Sequence, residues 1–309
     1  MPFHFRRLED LFSEGLTSPS RLVIVRPEEK RTIEALRMAF ADGFISSAVL
    51  IGDSARISPL LAEKELTGKS IDIIDTSDDF EAVSRGLGLH AETPGSLFFA
   101  GQMTSQDFLD LYSETSGDKL LLSRLSQVVL FEVPGFDRLI IVTDPTVHVA
   151  PRLPEKVTIL NNVIAFCHQL GWEKPLIALI AAVEKIDYIH MPHTVDSAAL
   201  VKMVQTGQIK GAVVDGPLAL DNAVSKHAAA VKGIRSPVAG AADVYMMPDA
   251  EAGVLLCKIL VCFAKAKSAS VIVGGPTPIA FPSRSDDAVT KYNSMKLACK
   301  LAGGEGVGQ

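Results

Sequence analysis

From residue 22 to residue 298, short runs of β-branched and aliphatic residues alternate with segments of helical periodicity, and no other feature narrows the fold as much. Leu22–Val25, Ala48–Ile51, Ile71–Ile74, Ser96–Ala100, Val128–Glu132 and Leu139–Thr143 read as strands. Leu176–Ile180, Ala212–Val214, Val244–Met247 and Ser270–Val273 continue the series. A helix is expected over 28–41, where Ile33, Leu36 and Phe40 share a face. Another starts at Ser77-Asp78-Asp79-Phe80, whose acidic first turn suits the helix dipole. Further helices are expected over 156–171, 196–206, 221–231, 250–264 and 287–298. Strands that alternate with helices in this way form parallel sheets covered by helices. A length of 309 residues suits two such α/β lobes, with a ligand cleft expected between them.

Composition excludes several classes of function. There is a single Trp and aromatic residues make up 6% of the chain, too few for platforms on which nucleic-acid bases stack. The formal charge of −6 means that an anionic ligand must be drawn by a local basic pocket rather than by the whole surface. No uncharged apolar run approaches the ~18 residues of a membrane span. Acidic Glu9 and Asp10 follow Arg6 and Arg7 with no apolar stretch behind them, so no signal peptide is expected and the location expected is the cytoplasm. The four cysteines, Cys167, Cys257, Cys262 and Cys299, sit in apolar runs with no C-x-x-C pair, as buried thiols of a reducing compartment do. The glycine-rich tail from Gly303 to Gln309 is expected to fray.

In open α/β sheets the chemistry gathers at the carboxyl ends of the strands. Four polar loops follow proposed strands: Thr143-Asp144-Pro145, Asp215-Gly216-Pro217, Pro248-Asp249 and Ser283-Arg284-Ser285. His148, Arg152 and Glu251 lie just beyond two of them. Asp215-Gly216-Pro217 also has the composition of a plain turn. His190 and His193 have loose spacing and no accompanying cysteine or carboxylate cluster, so they read as loop histidines and no metal site is expected.

An ordered series of motifs covers the second half of the chain. It runs Val213-Val214-Asp215-Gly216-Pro217-Leu218-Ala219-Leu220-Asp221-Asn222, Lys232-Gly233-Ile234, Ser236-Pro237-Val238-Ala239-Gly240, Pro248-Asp249-Ala250-Glu251-Ala252-Gly253 and Pro282-Ser283-Arg284-Ser285-Asp286. Thr143-Asp144, Ala181–Glu184 and Pro192 with Thr194 and Asp196 stand upstream in the same order. In these motifs the chain resembles the phosphate acetyl/butyryltransferases, phosphate butyryltransferase above all. The resemblance implies a two-domain α/β fold similar to the isocitrate/isopropylmalate dehydrogenases, with mostly parallel sheets. Residues 1–146 and 283–309 would form a discontinuous first domain, and 147–282 an inserted second one. A homodimer is implied.

The activity implied is exchange of a short acyl group, butyryl-like ones favoured, between coenzyme A and inorganic phosphate. Coenzyme A enters as a substrate, and no tightly bound cofactor, nucleic acid or membrane is implied. Phosphorolysis of a thioester needs an oxyanion stabilised at the carbonyl and a phosphate held for attack. Arg284 offers a planar fork for either task, and Ser283 a hydroxyl donor. Asp286 or Asp287 would serve as base for the coenzyme A thiol. Thr143, Asp144, His148, Arg152, Asp215, Gly216, Pro217, Asp249 and Glu251 would contact substrate. The chain departs from the family at Ala100 and Leu120, where basic residues are usual, at Val254 in place of an Asn, and at His148, also in place of an Asn. These departures keep a second reading open, a non-catalytic relative that binds acyl-CoA or acyl phosphate as a sensor or subunit. A dehydrogenase on the related fold would need metal-binding carboxylates or a nicotinamide motif, and neither is present.

Overall fold

The computed structural model describes residues 5–13 and 20–303. The expectations for the first four residues and for the tail beyond Gly303 lie outside them. In chain order the elements are α1 (Leu8–Ser13), β1 (Ser20–Val25), α2 (Lys30–Asp42), β2 (Ile45–Gly52), α3 (Ser54–Glu63), β3 (Ile71–Asp75), α4 (Asp79–Glu92), β4 (Leu97–Ala100), α5 (Ser105–Ser116) and α6 (Leu121–Arg124). Next come β5 (Ser126–Glu132), β6 (Ile140–Thr143), α7 (Leu153–Gln169), β7 (Leu176–Ile180), α8 (His193–Gln205), β8 (Val213–Leu218), α9 (Leu220–Val224) and α10 (Lys226–Val231). The chain closes with β9 (Val244–Met246), α11 (Ala250–Cys262), β10 (Lys267–Val273), β11 (Ile279–Ala280) and α12 (Ala288–Gly303). No helix among the described residues is long and apolar enough to cross a membrane.

The chain divides into two compact units. The outer unit comprises Glu9–Leu122 and Lys267–Gln309, and the middle unit Ser123–Ala266 with Met1–Leu8. Besides the crossing at 8/9, the crossings therefore fall at 122/123 and 266/267, whereas the sequence reading places them near 146 and 283. Strand pairing explains the difference. β5 pairs with β6, and β6 with β9, so both earlier strands go with the middle unit. β10 pairs with β11, and β11 with β4, so residues 267–282 go with the outer unit.

In the outer unit the strand order is β3-β2-β1-β4-β11-β10, parallel except for the last pair. At the centre of the sheet the paired residues are buried, Val23 and Ile24 beside Val49 and Leu50 on one side and Phe98 and Phe99 on the other, while the edge strand β3 is not. Such continuous apolar strands are what a sheet covered on both faces requires. β1, β2 and β3 run outward in one direction, and β4 lies on the other side of β1. The carboxyl ends of β1 and β4 thus flank a switch point, the usual location of a ligand crevice. Gly101 is required there, because an added Cβ would collide with the carbonyl of Arg26. Phe108 of α5 packs between Phe98 and Phe281, with ring centroids 6.1 and 5.3 Å away. This aromatic contact anchors the chain two residues before Ser283.

In the middle unit the order is β5-β6-β9-β7-β8, with only the β5–β6 pair antiparallel. Its core gathers Phe131, Val142, Ala178, Val238 and Tyr245. Two elements differ from the sequence reading. The expected helix over 221–231 is two short helices, because Ser225 takes an extended conformation between them and caps the second. Asp215-Gly216-Pro217 lies inside β8 rather than after it. A proline is tolerated there because β8 is an edge strand with a register shift opposite Ala178 and Ile180.

Candidate functional site

In the outer unit, β11 leads through Phe281 and Pro282 into the loop 283–287 and then into α12. The loop closes on itself. Ser283 N donates to Asp286 Oδ2 at 2.8 Å, and Asp286 N donates to Ser283 O at 3.0 Å. Asp287 Oδ1 accepts from Thr290 N at 2.8 Å, an N-cap for α12. The two carboxylates expected as base thus each have a structural duty. The Ser283 and Ser285 hydroxyl oxygens are 3.2 Å apart. Arg284 is exposed, and its guanidinium makes no ion pair or hydrogen bond to the described residues. An Arg has five donors in a fixed fork, and here none of them is bonded to a described residue.

Three residues behind this loop escape the sequence reading. Lys291 is 1% exposed and stands 3.6 Å from Glu29. Glu29 caps α2 and bonds the Arg31 guanidinium, and Arg31 Nη1 donates to the carbonyl of Ser285 at 2.9 Å. Burial works to raise the Glu29 carboxyl, but Arg31, Lys291 and Thr32 outweigh it and hold it below the ordinary carboxylate range. Burial pulls the Lys291 ammonium down, against the opposing pull of Glu29 and Asp286. The signal for Lys291 was its spacing: with Ser294, Met295 and Ala298 it falls on the buried face of α12.

In the middle unit, Asp144 follows β6 and is 3% exposed. Its Oδ1 accepts from Gln127 N at 3.1 Å, Thr146 N at 3.1 Å and Val147 N at 3.0 Å. Its Oδ2 accepts from His148 N at 3.1 Å and His148 Nδ1 at 2.8 Å. Asp144 is therefore the hub of the 144–148 loop, with no acceptor capacity directed outward. Thr143 is likewise turned inward, its hydroxyl donating to Gln127 O at 2.9 Å. The bond to Asp144 fixes the proton of a neutral His148 on Nδ1 and leaves Nε2 as the acceptor. That Nε2 is buried and has no hydrogen-bond partner among the described residues.

The other expected contacts divide. Met247 N donates to Thr143 O at 2.7 Å and Ala250 N to Val149 O at 3.0 Å, so the 144–148 loop and the start of α11 are held together. Gly253 permits this, since an added Cβ would lie 2.8 Å from Pro145 Cα. Asp249 caps α11 by accepting from Ala252 N at 2.8 Å, while Glu251 is exposed in its first turn. Arg152 is exposed at the start of α7. Asp215, Gly216 and Pro217 are not at a strand end. The Asp215 carboxylate accepts from Gly216 N at 2.8 Å, Gly216 lies against Leu179, and Pro217 is buried. Three motif segments converge elsewhere, where Glu184 accepts from Asn222 Nδ2 at 2.5 Å and from Lys232 Nζ at 2.7 Å.

A small cavity lies at the carboxyl ends of β7 and β9, lined in part by Lys156, Leu179, His193, Met246 and Pro248. Lys156 is buried and paired with Asp196 at 2.8 Å. Burial pulls the His193 imidazole below its ordinary range, and neighbouring Lys156 adds to this. Of the positions that depart from the family pattern, Ala100 is buried at the end of β4, while Leu120 and Val254 are exposed.

The chain matches the family described as Phosphate acetyl/butaryl transferase over residues 102–299. It is 36% identical over 297 residues to the phosphate acetyltransferase of Thermotoga maritima, covering 96% of this chain and 99% of that protein. It is 38% identical to the probable phosphate butyryltransferase of Bacillus subtilis, covering 94% and 97%. The phosphate butyryltransferase of Clostridium acetobutylicum is 35% identical, covering 92% and 93%. Among solved structures, a branched-chain phosphotransacylase from Enterococcus faecalis superposes with a TM-score of 0.74 at 24% identity, covering 92% of this chain and 99% of that one. A phosphotransacetylase from Streptococcus pyogenes gives 0.74 at 18%, covering 97% and 99%. These two likenesses show the shared fold.

Proposed function

This chain belongs to the phosphate acetyl/butyryltransferase family, and we propose that it exchanges a short acyl group, with butyryl-like groups favoured, between coenzyme A and inorganic phosphate. The observation that carries this reading to a site is the free guanidinium of Arg284 in the Ser283–Asp287 loop. A phosphate oxygen attacks the thioester carbonyl, and the carbonyl oxygen takes up negative charge. The C–S bond then breaks, and the leaving thiolate takes a proton. Arg284 and the Ser283 hydroxyl are assigned to the charge on that oxygen, which is greatest in the tetrahedral intermediate. In the opposite direction the thiol must give up its proton before it can attack. Asp287, whose Oδ2 has no hydrogen bond to the described residues, is the carboxylate we assign to that proton. No tightly bound cofactor is required. A sensor or subunit without turnover is not favoured, since the relatives that match along the whole chain are named as transferases.

The test is release of thiol from acetyl-, propionyl-, butyryl- and isobutyryl-CoA, read with a disulfide chromogen, with and without phosphate. Phosphate-dependent release, fastest with butyryl-CoA, is expected. Release that ignores phosphate would overturn the reaction, and a preference for acetyl-CoA would overturn the acyl assignment alone.

Two further elements complete the proposal. A cytoplasmic location fits cysteines that form no disulfide. A homodimer fits α11 and its C-cap, where Leu255, Ile259 and Phe263 are 63, 49 and 83% exposed and lie one turn apart along one face. Light scattering should give the mass of a dimer, and Phe263→Asp should shift it toward the monomer.

A further inference from the structure

An isolated ammonium in a protein interior is costly to hold, and Lys291 is as buried as the aliphatic residues around it. Its ion pair with Glu29 offsets part of that cost. A buried ion pair is nevertheless often no better for stability than apolar side chains of the same volume. The pair therefore calls for a role beyond holding α12 in place.

That role is visible in what Glu29 touches. Its Oε2 also accepts from Thr32 N at 3.2 Å and from Thr32 Oγ1 at 3.1 Å, and its Oε1 takes the Nε–H of Arg31. The Glu29 carboxylate is thus held on both oxygens, and it holds the guanidinium in turn. Arg31 is half-exposed, and a long side chain in that setting is disordered unless something fixes it from behind. Fixed in this way, it donates from Nη1 to the Ser285 carbonyl, across 254 positions of sequence. Ser285 immediately follows Arg284. A continuous line of charged contacts therefore runs from the core of the outer unit, Lys291 to Glu29 to Arg31, into the loop that presents Ser283 and Arg284. The loop's own bonds, Ser283 with Asp286, fix its curvature, while the Arg31 contact fixes where it sits on α2.

We propose that Lys291 is a positioning residue which, through Glu29 and Arg31, holds the Ser283–Arg284 loop in the geometry that acyl transfer needs. This rests on the assignment of Arg284 under the proposed function. Misplacement of a reacting group by about 1 Å can cost on the order of 10²-fold in rate, which sets the scale of the effect.

A double-mutant cycle on kcat for butyryl-CoA with saturating phosphate tests it. Lys291→Met keeps the volume and removes the charge, and Arg31→Ala cuts the same line at its exposed end. Each should lower kcat by about 10- to 100-fold, with KM for butyryl-CoA changed far less. In an Arg284→Ala background neither should lower kcat further, since the group being positioned is gone. If either change costs the same factor with and without Arg284, the proposal is overturned and Lys291 is a structural residue only. If Arg284→Ala alone leaves kcat at the wild-type value, the premise fails first, and that single variant shows it. Should Lys291→Met not fold, as judged by circular dichroism, Arg31→Ala completes the cycle, because its side chain is outside the core.

Discussion

In the middle unit the loop after β6 closes on its own carboxylate: Asp144 is buried and receives five hydrogen bonds from Gln127, Thr146, Val147 and His148. In the outer unit the loop after β11 also closes on a carboxylate, Asp286, yet it leaves the Arg284 guanidinium exposed and without a described partner. Both loops sit at the carboxyl ends of parallel strands, and both looked alike as polar motifs. The difference shows that a polar strand-end motif can hold two kinds of residue. One kind has its hydrogen-bonding capacity used up within the fold and sets a shape. The other keeps that capacity unspent among the described residues.

The largest effect expected is on turnover. Arg284→Ala should lower kcat by ~10²–10³-fold, as removal of a single oxyanion donor does, with the melting temperature unchanged. Arg284→Lys should recover little, because an ammonium lacks the fork. A rise in KM for phosphate at constant kcat would sharpen the comparison by moving Arg284 from the transition state to ground-state phosphate. A variant with wild-type kcat and KM would break it.

Next in size is a stability effect with the opposite profile. Asp144→Ala leaves the buried Gln127 N–H and the part-buried N–H groups of Thr146, Val147 and His148 without their acceptor, and at 1–3 kcal/mol for each buried group left unsatisfied the loss should be about 3 kcal/mol. Urea unfolding of Asp144→Ala beside Arg284→Ala checks the contrast. Equal stability of the two variants would break it.

The smallest effect concerns Asp243, a second buried carboxylate of the middle unit. Only Leu176 N donates to it among the bonds described, at 2.9 Å, and burial pushes its carboxyl up to about 6 against that bond and Arg138. The folded value lies above the unfolded one near ~3.9. The folded state thus holds the proton more tightly, and stability falls as pH rises from about 4 through about 6. Asp243→Asn should therefore stabilise the protein by ~1–2 kcal/mol at pH 7, with the gain vanishing toward pH 4. The melting temperature of both proteins across that range checks it. A gain that is independent of pH would mean that the carboxyl is not titrating there.

Much of the fold was legible because burial of a strand depends on its own residues. Leu176–Ile180 is read from sequence with the bounds it has in the structure, and Ile71–Ile74 is one residue short. α3 escaped the reading because Pro59 stands inside it, and a proline ordinarily ends a helix. β11 escaped because two residues carry no periodicity. The split between α9 and α10 was invisible because Ser225 is compatible with either a helix interior or a cap, and its surroundings decide.

The candidate site was legible only in part. The order and spacing of Asp215-Gly216-Pro217, Pro248-Asp249 and Ser283-Arg284 point to the family, and they do so before any contact is known. The alternation of strands and helices, the absence of a long apolar run and the motif series are properties of neighbouring residues, so the sequence by itself determined them. Which polar side chain is used up and which is left over is decided in space. Asp144 finds Gln127 across 17 positions, Lys291 finds Glu29, and Arg31 reaches Ser285 across 254. A hydrogen bond forms only where a donor and an acceptor lie within about 3 Å at a suitable angle. Only the packed sheets and helices bring residues so far apart in the chain into contact, so the contacts of these side chains were settled by the tertiary structure.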